Sequence, residues 1–136
     1  MKAEAYLKQI DDYKCRIDLK KEQKAMWMEI ASGTTSNMNG ERVQSSSKKN
    51  KMADATIEMV TLDEEIESLK AQIQEIIRTI ESLETKYYEF LMKRYIQGMS
   101  YKELRAYYNK SSSWLGYLKQ DALNELQRVL YAKEKV

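Results

Sequence analysis

The chain has 136 residues, 32% of them charged, and a formal net charge of +2, which suits one domain or a small domain with an extension. It has no proline and only four glycines, a composition that predicts an all-α protein. It also has no histidine and a single cysteine, Cys15. Because histidine is the commonest general base and metal ligand, we expect no enzyme, no metal site and no cofactor.

The compartment follows from the same composition. No window approaches the roughly 20 apolar residues of a membrane span, and the chain begins without an apolar segment of signal-peptide length. The single cysteine excludes an intramolecular disulfide. We therefore expect a cytoplasmic protein that makes no membrane contact.

The charges fall into three blocks. Residues 1–53 hold eleven Lys/Arg against seven Asp/Glu, residues 54–84 hold two against nine, and residues 85–136 hold ten against five. A basic C-terminal part suits a phosphate backbone, whereas an acidic middle repels one. Alternatively, the first two blocks neutralise each other between antiparallel helices.

The first helix is predicted over residues 3–31. One apolar stripe recurs at spacings of three and four and is formed by Tyr6, Ile10, Tyr13, Ile17, Trp27 and Ile30. Lys20, Lys21 and Lys24 interrupt this stripe, and their apolar stems can still lie across a partner helix. From residue 32 to about 53 the composition is that of a loop, in which Arg42 is either solvated or in contact with a partner.

A long second helix is predicted from residues 53–56 to Ile96, about 40 residues. Its apolar positions alternate spacings of three and four, the period of a coiled-coil seam, and are Ile66, Leu69, Ile73, Ile76, Ile80, Leu83 and Tyr87, with Leu62 and Ile57 extending the face. We expect the first helix to fold back antiparallel on this seam, and the uncovered part to meet the C-terminal residues or a second copy. An acidic group is expected to face the lysines of the first helix and comprises Asp63, Glu64, Glu65 and Glu67.

Helix signals beyond residue 94 define two very short breaks. Gly98 follows an apolar-periodic run and is a candidate helix end, while Ser100 and Glu103 are spaced as a capping box. The next helix is therefore expected over residues 101–108. Asn109 can end it in the left-handed conformation, and Ser111 can cap a third helix that starts at residue 112. This order of short helix, tight turn and longer helix is typical of a helix-turn-helix.

The segment RYIQGMSYKEL, at residues 94–104, is followed by a break, a serine and then Leu115, Leu118, Ala122 and Leu123. It resembles the region-four helix-turn-helix of bacterial sigma factors. Nearly the whole chain is similar to small phage and prophage proteins of Gram-positive bacteria, the ArpU-like late-operon regulators, through residues 34–36 and 40–46 and the acidic helix that follows. The resemblance implies a regulator that acts inside a bacterial host cell, with a helical hairpin preceding the helix-turn-helix.

The third helix separates into two faces. Its core face, with the preceding helices, is predicted to contain Leu91, Tyr95, Leu104, Tyr108, Leu115, Leu118, Ala122 and Leu126, and Trp114 is expected in the core or wedged on the preceding helix. The candidate DNA-binding residues are Lys110, Ser111, Ser112, Ser113, Gly116, Tyr117, Lys119 and Gln120. Serine, glutamine and tyrosine suit base edges, whereas lysine and the helix start suit phosphates. The serines are also ordinary capping residues.

Three residues depart from the sigma-like pattern. Asn109 stands at a turn position that is usually glycine, which is tolerable, Gly116 costs about 1 kcal/mol inside the third helix relative to alanine, and Asp121 stands where such modules often have a basic residue. The last two indicate modest DNA affinity. The exposed start of the helix has no arginine to bind guanine. A second copy or RNA polymerase is therefore expected to assist binding.

Taken together, the sequence predicts an all-α protein with a coiled-coil-like antiparallel hairpin in residues 1–84, including the loop at 32–53, and a helix-turn-helix in residues 85–136. The expected function is transcription regulation of the phage type, through binding of double-stranded DNA by a homodimer. Two alternatives stay open. One is a protein that binds RNA polymerase or a host regulator without gripping DNA, and the other is a phage packaging or replication accessory protein.

Overall fold

A computed structural model describes the backbone of residues 1–32 and 45–135, with side chains from residue 52 onward in the second range. Its helices are α1 (Ala3–Ser32), α2 (Ser45–Glu81), α3 (Thr85–Leu91), α4 (Tyr101–Tyr108) and α5 (Ser112–Glu134), and a π-helical turn, Met92–Ile96, continues α3. The part of the chain that the structure describes contains helices and no strand, as the composition predicted. In that part, no helix is long and apolar enough to cross a membrane.

The helices form two compact units, residues 13–71 and residues 1–12 with 72–136. In the first unit, α1 packs against α2, and buried side chains of both helices form the seam, namely Ile17, Ala55, Leu62, Ile66 and Leu69. Lys20 lies 3.3 Å from Glu65, and Lys24 lies 2.8 Å from Asp63. The later residue on α1 contacts the earlier residue on α2, so the two helices run antiparallel. The predicted pairing of lysines with acidic residues is confirmed for these two pairs.

The start of α2 differs from the prediction. The helix begins at Ser45, eight or more residues earlier than expected, and Ile57 is exposed rather than on the seam. A residue five positions before Leu62 lies on the opposite side of a helix, and Ala55 takes the seam position instead. The expected contact of Arg42 falls outside the described residues.

The predicted continuation of α2 to Ile96 is wrong. The helix ends at Glu81, where the Ser82 hydroxyl donates to the Thr79 carbonyl oxygen at 2.6 Å and the Leu83 N–H donates to the Ile80 carbonyl oxygen at 3.1 Å. The serine side chain thus supplies a local alternative to the helical hydrogen-bond ladder. Neither glycine nor proline marks this break in the sequence.

The second unit brings the first three turns of α1 to the C-terminal helices. Its core contains side chains from all five helices, namely Ala3, Leu7, Ile10, Ile76, Ile80, Phe90, Leu91, Leu104, Leu115, Ala122, Leu126 and Leu130. Tyr6 donates a hydrogen bond to Thr79 at 3.0 Å, so α1 also contacts the last turns of α2 here. That residues 85–136 form a module of their own stays a prediction.

The side-chain amide of Gln127 both donates a hydrogen bond to the start of α1 and accepts one from it. The Ala3 N–H donates to its Oε1 at 2.8 Å, and its Nε2 donates to the Met1 carbonyl oxygen at 3.1 Å. An N–H of the first helical turn has no partner inside its own helix, so Gln127 acts as a cap supplied by another helix. The first turn of α1 is therefore fixed on α5.

Candidate functional site

The end of the π-helical turn has the geometry that Gly98 predicted. Gly98 has a φ of +74°, and the Met99 N–H donates to the Lys93 carbonyl oxygen at 3.0 Å. A guanidinium nitrogen of Arg94 donates to the Met99 carbonyl oxygen at 3.0 Å, and Arg94 lies 4.5 Å from the ring centre of Tyr101. The entry to α4 is thus held by backbone and side-chain contacts together.

The predicted capping of α4 is confirmed at both ends. The Glu103 N–H donates to the Ser100 hydroxyl at 3.1 Å, and the Ser100 N–H donates to the Glu103 carboxylate at 3.0 Å, which completes the capping box. The hydrogen bond from the Ser100 N–H lowers the pKa of Glu103, because it favours the charged carboxylate. Asn109 ends the helix in the left-handed conformation, with φ 55° and ψ 49°.

The start of α5 is also where the sequence placed it. The Ser111 hydroxyl accepts a hydrogen bond from the Trp114 N–H at 3.2 Å, and the helix begins at Ser112. Only two residues, Lys110 and Ser111, lie between Asn109 and this helix. The turn is closed by the Lys110 N–H, which donates to the Arg105 carbonyl oxygen at 3.3 Å.

The two faces of α5 follow the predicted spacing. Of the predicted core, five side chains are buried, and Tyr95, Tyr108 and Leu118 are half-buried. The sequence interpretation missed Phe90 and Leu130, although both continue apolar spacings of three or four. Seven of the eight candidate DNA-binding residues are exposed, and they are Lys110, Ser111, Ser112, Ser113, Gly116, Tyr117 and Gln120.

The exposed face is centred on Tyr117, whose side chain is 74% exposed. Ser113 and Gln120 lie three or four positions from it and therefore beside it on the helix surface. Gln120 donates to the Asn124 side-chain oxygen at 3.2 Å. A Cβ added at Gly116 would meet nothing within 4 Å among the described residues, so none of their packing requires glycine at that position.

Lys119 is the candidate residue that the structure turns inward. Its ammonium group lies 3.4 Å from the Glu4 carboxylate, and Tyr95 donates to the same carboxylate at 3.3 Å. Burial tends to raise the pKa of Glu4, but the charge and hydrogen bond of Lys119 outweigh it and lower the value. Burial first, and then the Glu4 charge, raise the pKa of Tyr95 to about 12. Lys119 thus joins α5 to α1.

Beside the turn between α4 and α5 lies a cluster of aromatic and basic side chains. The Trp114 ring centre lies 5.3 Å from that of Tyr108, which confirms the expected contact of Trp114 with the preceding helix, whereas its exposed side chain does not belong to the core. Lys110 lies 5.6 Å from the centre of the Trp114 ring. Lys93 and Tyr107 also belong to this cluster, and the sequence interpretation missed them because they lie outside the third helix.

In the described ranges, no group of three or more acidic or cysteine side chains is placed to hold a metal ion. Comparison with protein-family models, with curated proteins and with solved structures returned no match. The arrangement of residues must therefore carry the functional argument.

Proposed function

We propose that this protein is a transcription regulator of the phage type, in which α4 and α5 form a helix-turn-helix that binds double-stranded DNA. The observation that carries the proposal is the exposed polar face at the start of α5, which follows a short capped helix and a tight turn. In the helix-turn-helix docking mode, the N-terminal residues of the last helix contact base edges in the major groove. Here those residues are Ser112, Ser113, Gly116, Tyr117 and Gln120.

Gly116 supports this orientation independently. A glycine inside a helix costs about 1 kcal/mol relative to alanine, and a Cβ at this one would meet nothing within 4 Å in the part of the chain that the structure describes. A glycine without an internal contact suits a surface that another molecule approaches closely. The ion pair with Glu4 makes Lys119 a residue that positions α5, and we assign phosphate contact to Lys110 instead.

The proposal includes a second copy of the chain as the partner. Among the described residues of this range, seven large apolar side chains are exposed on α1 and α2, and they are Leu19, Met26, Met28, Ile30, Met52, Ile57 and Val60. Contact with a second copy would bury part of this apolar surface. A two-fold dimer would present two copies of α5 to two half-sites, which compensates for a weak single contact. A monomeric mass in light scattering, together with DNA binding, would favour RNA polymerase as the partner.

The test is equilibrium binding of the full chain to promoter-containing duplex DNA at about 50 and about 200 mM salt. We expect Lys110→Glu to weaken binding by about tenfold or more at the lower salt, since it replaces a phosphate contact with repulsion. Tyr117→Ala should cost about 1 kcal/mol and reduce sequence preference.

The matched controls lie at the other end of α5. Lys135→Glu and Tyr131→Ala change the same residue types at exposed positions 25 residues beyond Lys110 and 14 beyond Tyr117, and both should leave binding unchanged. Failure of the unaltered protein to bind any duplex at low salt would overturn the proposal. Equal effects of the paired variants would show that α5 does not present its N-terminal end to DNA.

A further inference from the structure

Two lysines beside the turn between α4 and α5 are held against aromatic rings. Lys93 Nζ lies 4.2 Å from the centre of the Tyr107 ring, and Lys110 Nζ lies 5.6 Å from the centre of the Trp114 ring. Both distances are shorter than about 6 Å, the limit for a cation–π contact. Tyr108 connects the two rings, since its ring centre lies 4.9 Å from that of Tyr107 and 5.3 Å from that of Trp114. One aromatic cluster therefore holds both cations.

The cluster is itself anchored. The Tyr107 hydroxyl donates to the Glu89 carboxylate at 3.2 Å, which fixes the ring from α3. The Tyr108 ring is half-buried, and the Trp114 ring lies beside it. A lysine side chain normally loses much conformational entropy when it becomes ordered in a complex. Contact with a fixed ring reduces that loss and leaves the ammonium N–H groups free to donate.

We propose that Lys93 and Lys110, positioned by Tyr107 and Trp114, form a paired phosphate contact for the backbone of duplex DNA. This inference rests on the proposed function and extends it to residues on the π-helical turn and α4. Because one face of each ring is already covered by a lysine, the cluster offers less stacking surface to the bases of a single strand than a bare aromatic platform does. Phosphate is therefore the chemical group that the cluster fits.

The test is the salt dependence of duplex binding by the full chain. Each phosphate contact contributes about 0.9 to the slope of log K against log salt. We expect Lys93→Gln and Lys110→Gln each to reduce that slope by about 0.9, and the double variant to reduce it by about twice as much. Lys135→Gln is the matched control, since Lys135 lies 4.5 Å from the centre of the Tyr131 ring at the far end of α5 and should leave the slope unchanged.

Substitutions of Tyr107 test whether its ring positions Lys93. Tyr107→Leu should weaken binding about two- to fivefold, whereas Tyr107→Phe, which keeps the ring, should retain affinity. In a Lys93→Gln background, Tyr107→Leu should cause no further loss, because the cation that the ring positions is absent. A further loss would show that Tyr107 acts only through the fold.

The outcomes separate this inference from the proposed function. Duplex binding with an unchanged slope in Lys93→Gln would overturn the paired contact and leave the DNA-binding proposal standing. Tighter binding of single strands than of the duplex would overturn the phosphate assignment in favour of base stacking. No duplex binding by the unaltered protein at low salt would overturn both.

Discussion

At the scale of single residues, Glu4 and Lys119 connect the start of the chain to α5. The two charged groups lie 3.4 Å apart, and Tyr95 donates to the same carboxylate. Both side chains are partly exposed, so solvent screens the pair, and we expect it to contribute about 0.2–1 kcal/mol. The main effect of the ion pair is on side-chain position, because it turns the Lys119 ammonium away from the exposed face of α5.

Acid should weaken this connection. The pKa of Glu4 in the folded protein is lowered below its ordinary value of 4.5, so the ion pair stabilises the fold above that pH and its contribution is lost as the pH falls further. We expect Glu4→Gln to lower the free energy of unfolding at pH 7 by about 0.2–1 kcal/mol and to have a smaller effect near pH 3. Urea unfolding at the two pH values measures this.

Glu22→Gln is the control for that experiment, since Glu22 is an exposed carboxylate elsewhere on α1. It should change the free energy of unfolding far less than Glu4→Gln at pH 7. An equal loss from Glu4→Gln at both pH values would contradict the ion-pair explanation, because a smaller fraction of Glu4 carries its charge at the lower pH.

At the scale of helices, two glycines in open space have opposite roles. A Cβ at Gly98 or at Gly116 would meet nothing within 4 Å, so packing does not distinguish them. Gly98 has a φ of +74° and ends a helix, whereas Gly116 lies inside α5. Backbone conformation alone therefore separates their functions.

The same substitution should consequently have opposite signs. Gly98→Ala is expected to lower the free energy of unfolding by about 1 kcal/mol, because an L side chain is strained at positive φ. Gly116→Ala is expected to raise it by about 0.5–1 kcal/mol through higher helix propensity. Chemical denaturation of the two variants beside the unaltered protein decides this, and effects of the same sign would refute it.

At the scale of the whole molecule, the unit that contains α5 also depends on residues 1–12. Leu7 is 1% exposed, and the cap from Gln127 fixes the same turns of α1. The sequence interpretation assigned these turns to the hairpin alone. A core that draws on both ends of the chain implies that α5 is stabilised by residues more than 100 positions away.

Leu7→Ala should therefore destabilise the surroundings of Trp114. In a Trp27→Phe background, Trp114 is the remaining tryptophan, and its fluorescence reports on the start of α5. We expect Leu7→Ala to cost about 2–5 kcal/mol and to lower the denaturation midpoint seen by Trp114. Gln23→Ala, at an exposed position of α1, should leave it nearly unchanged. An unaltered Trp114 transition in Leu7→Ala would show that residues 85–136 fold independently.

The sequence by itself determined both ends of α4 and the start of α5. Ser100, Glu103, Asn109 and Ser111 act on backbone groups within five residues of themselves, so their effect is visible in a short window of sequence. The antiparallel pairing of α1 with α2 was also predictable, since a repeated apolar spacing needs a partner of the same period.

Only the tertiary structure decided which of the predicted surface residues are free to contact DNA. Lys119 follows the spacing of a flanking residue, yet Glu4 binds it from the other end of the chain. Lys93 and Lys110 are 17 positions apart, and the aromatic cluster that holds both exists only after α4 packs on its neighbours. Local sequence encodes caps and periodicity, whereas contacts between distant segments depend on how the helices pack. The exposed polar start of α5 follows from local caps and periodicity. The positions of Lys93 and Lys110 beside it follow from the packing of the helices.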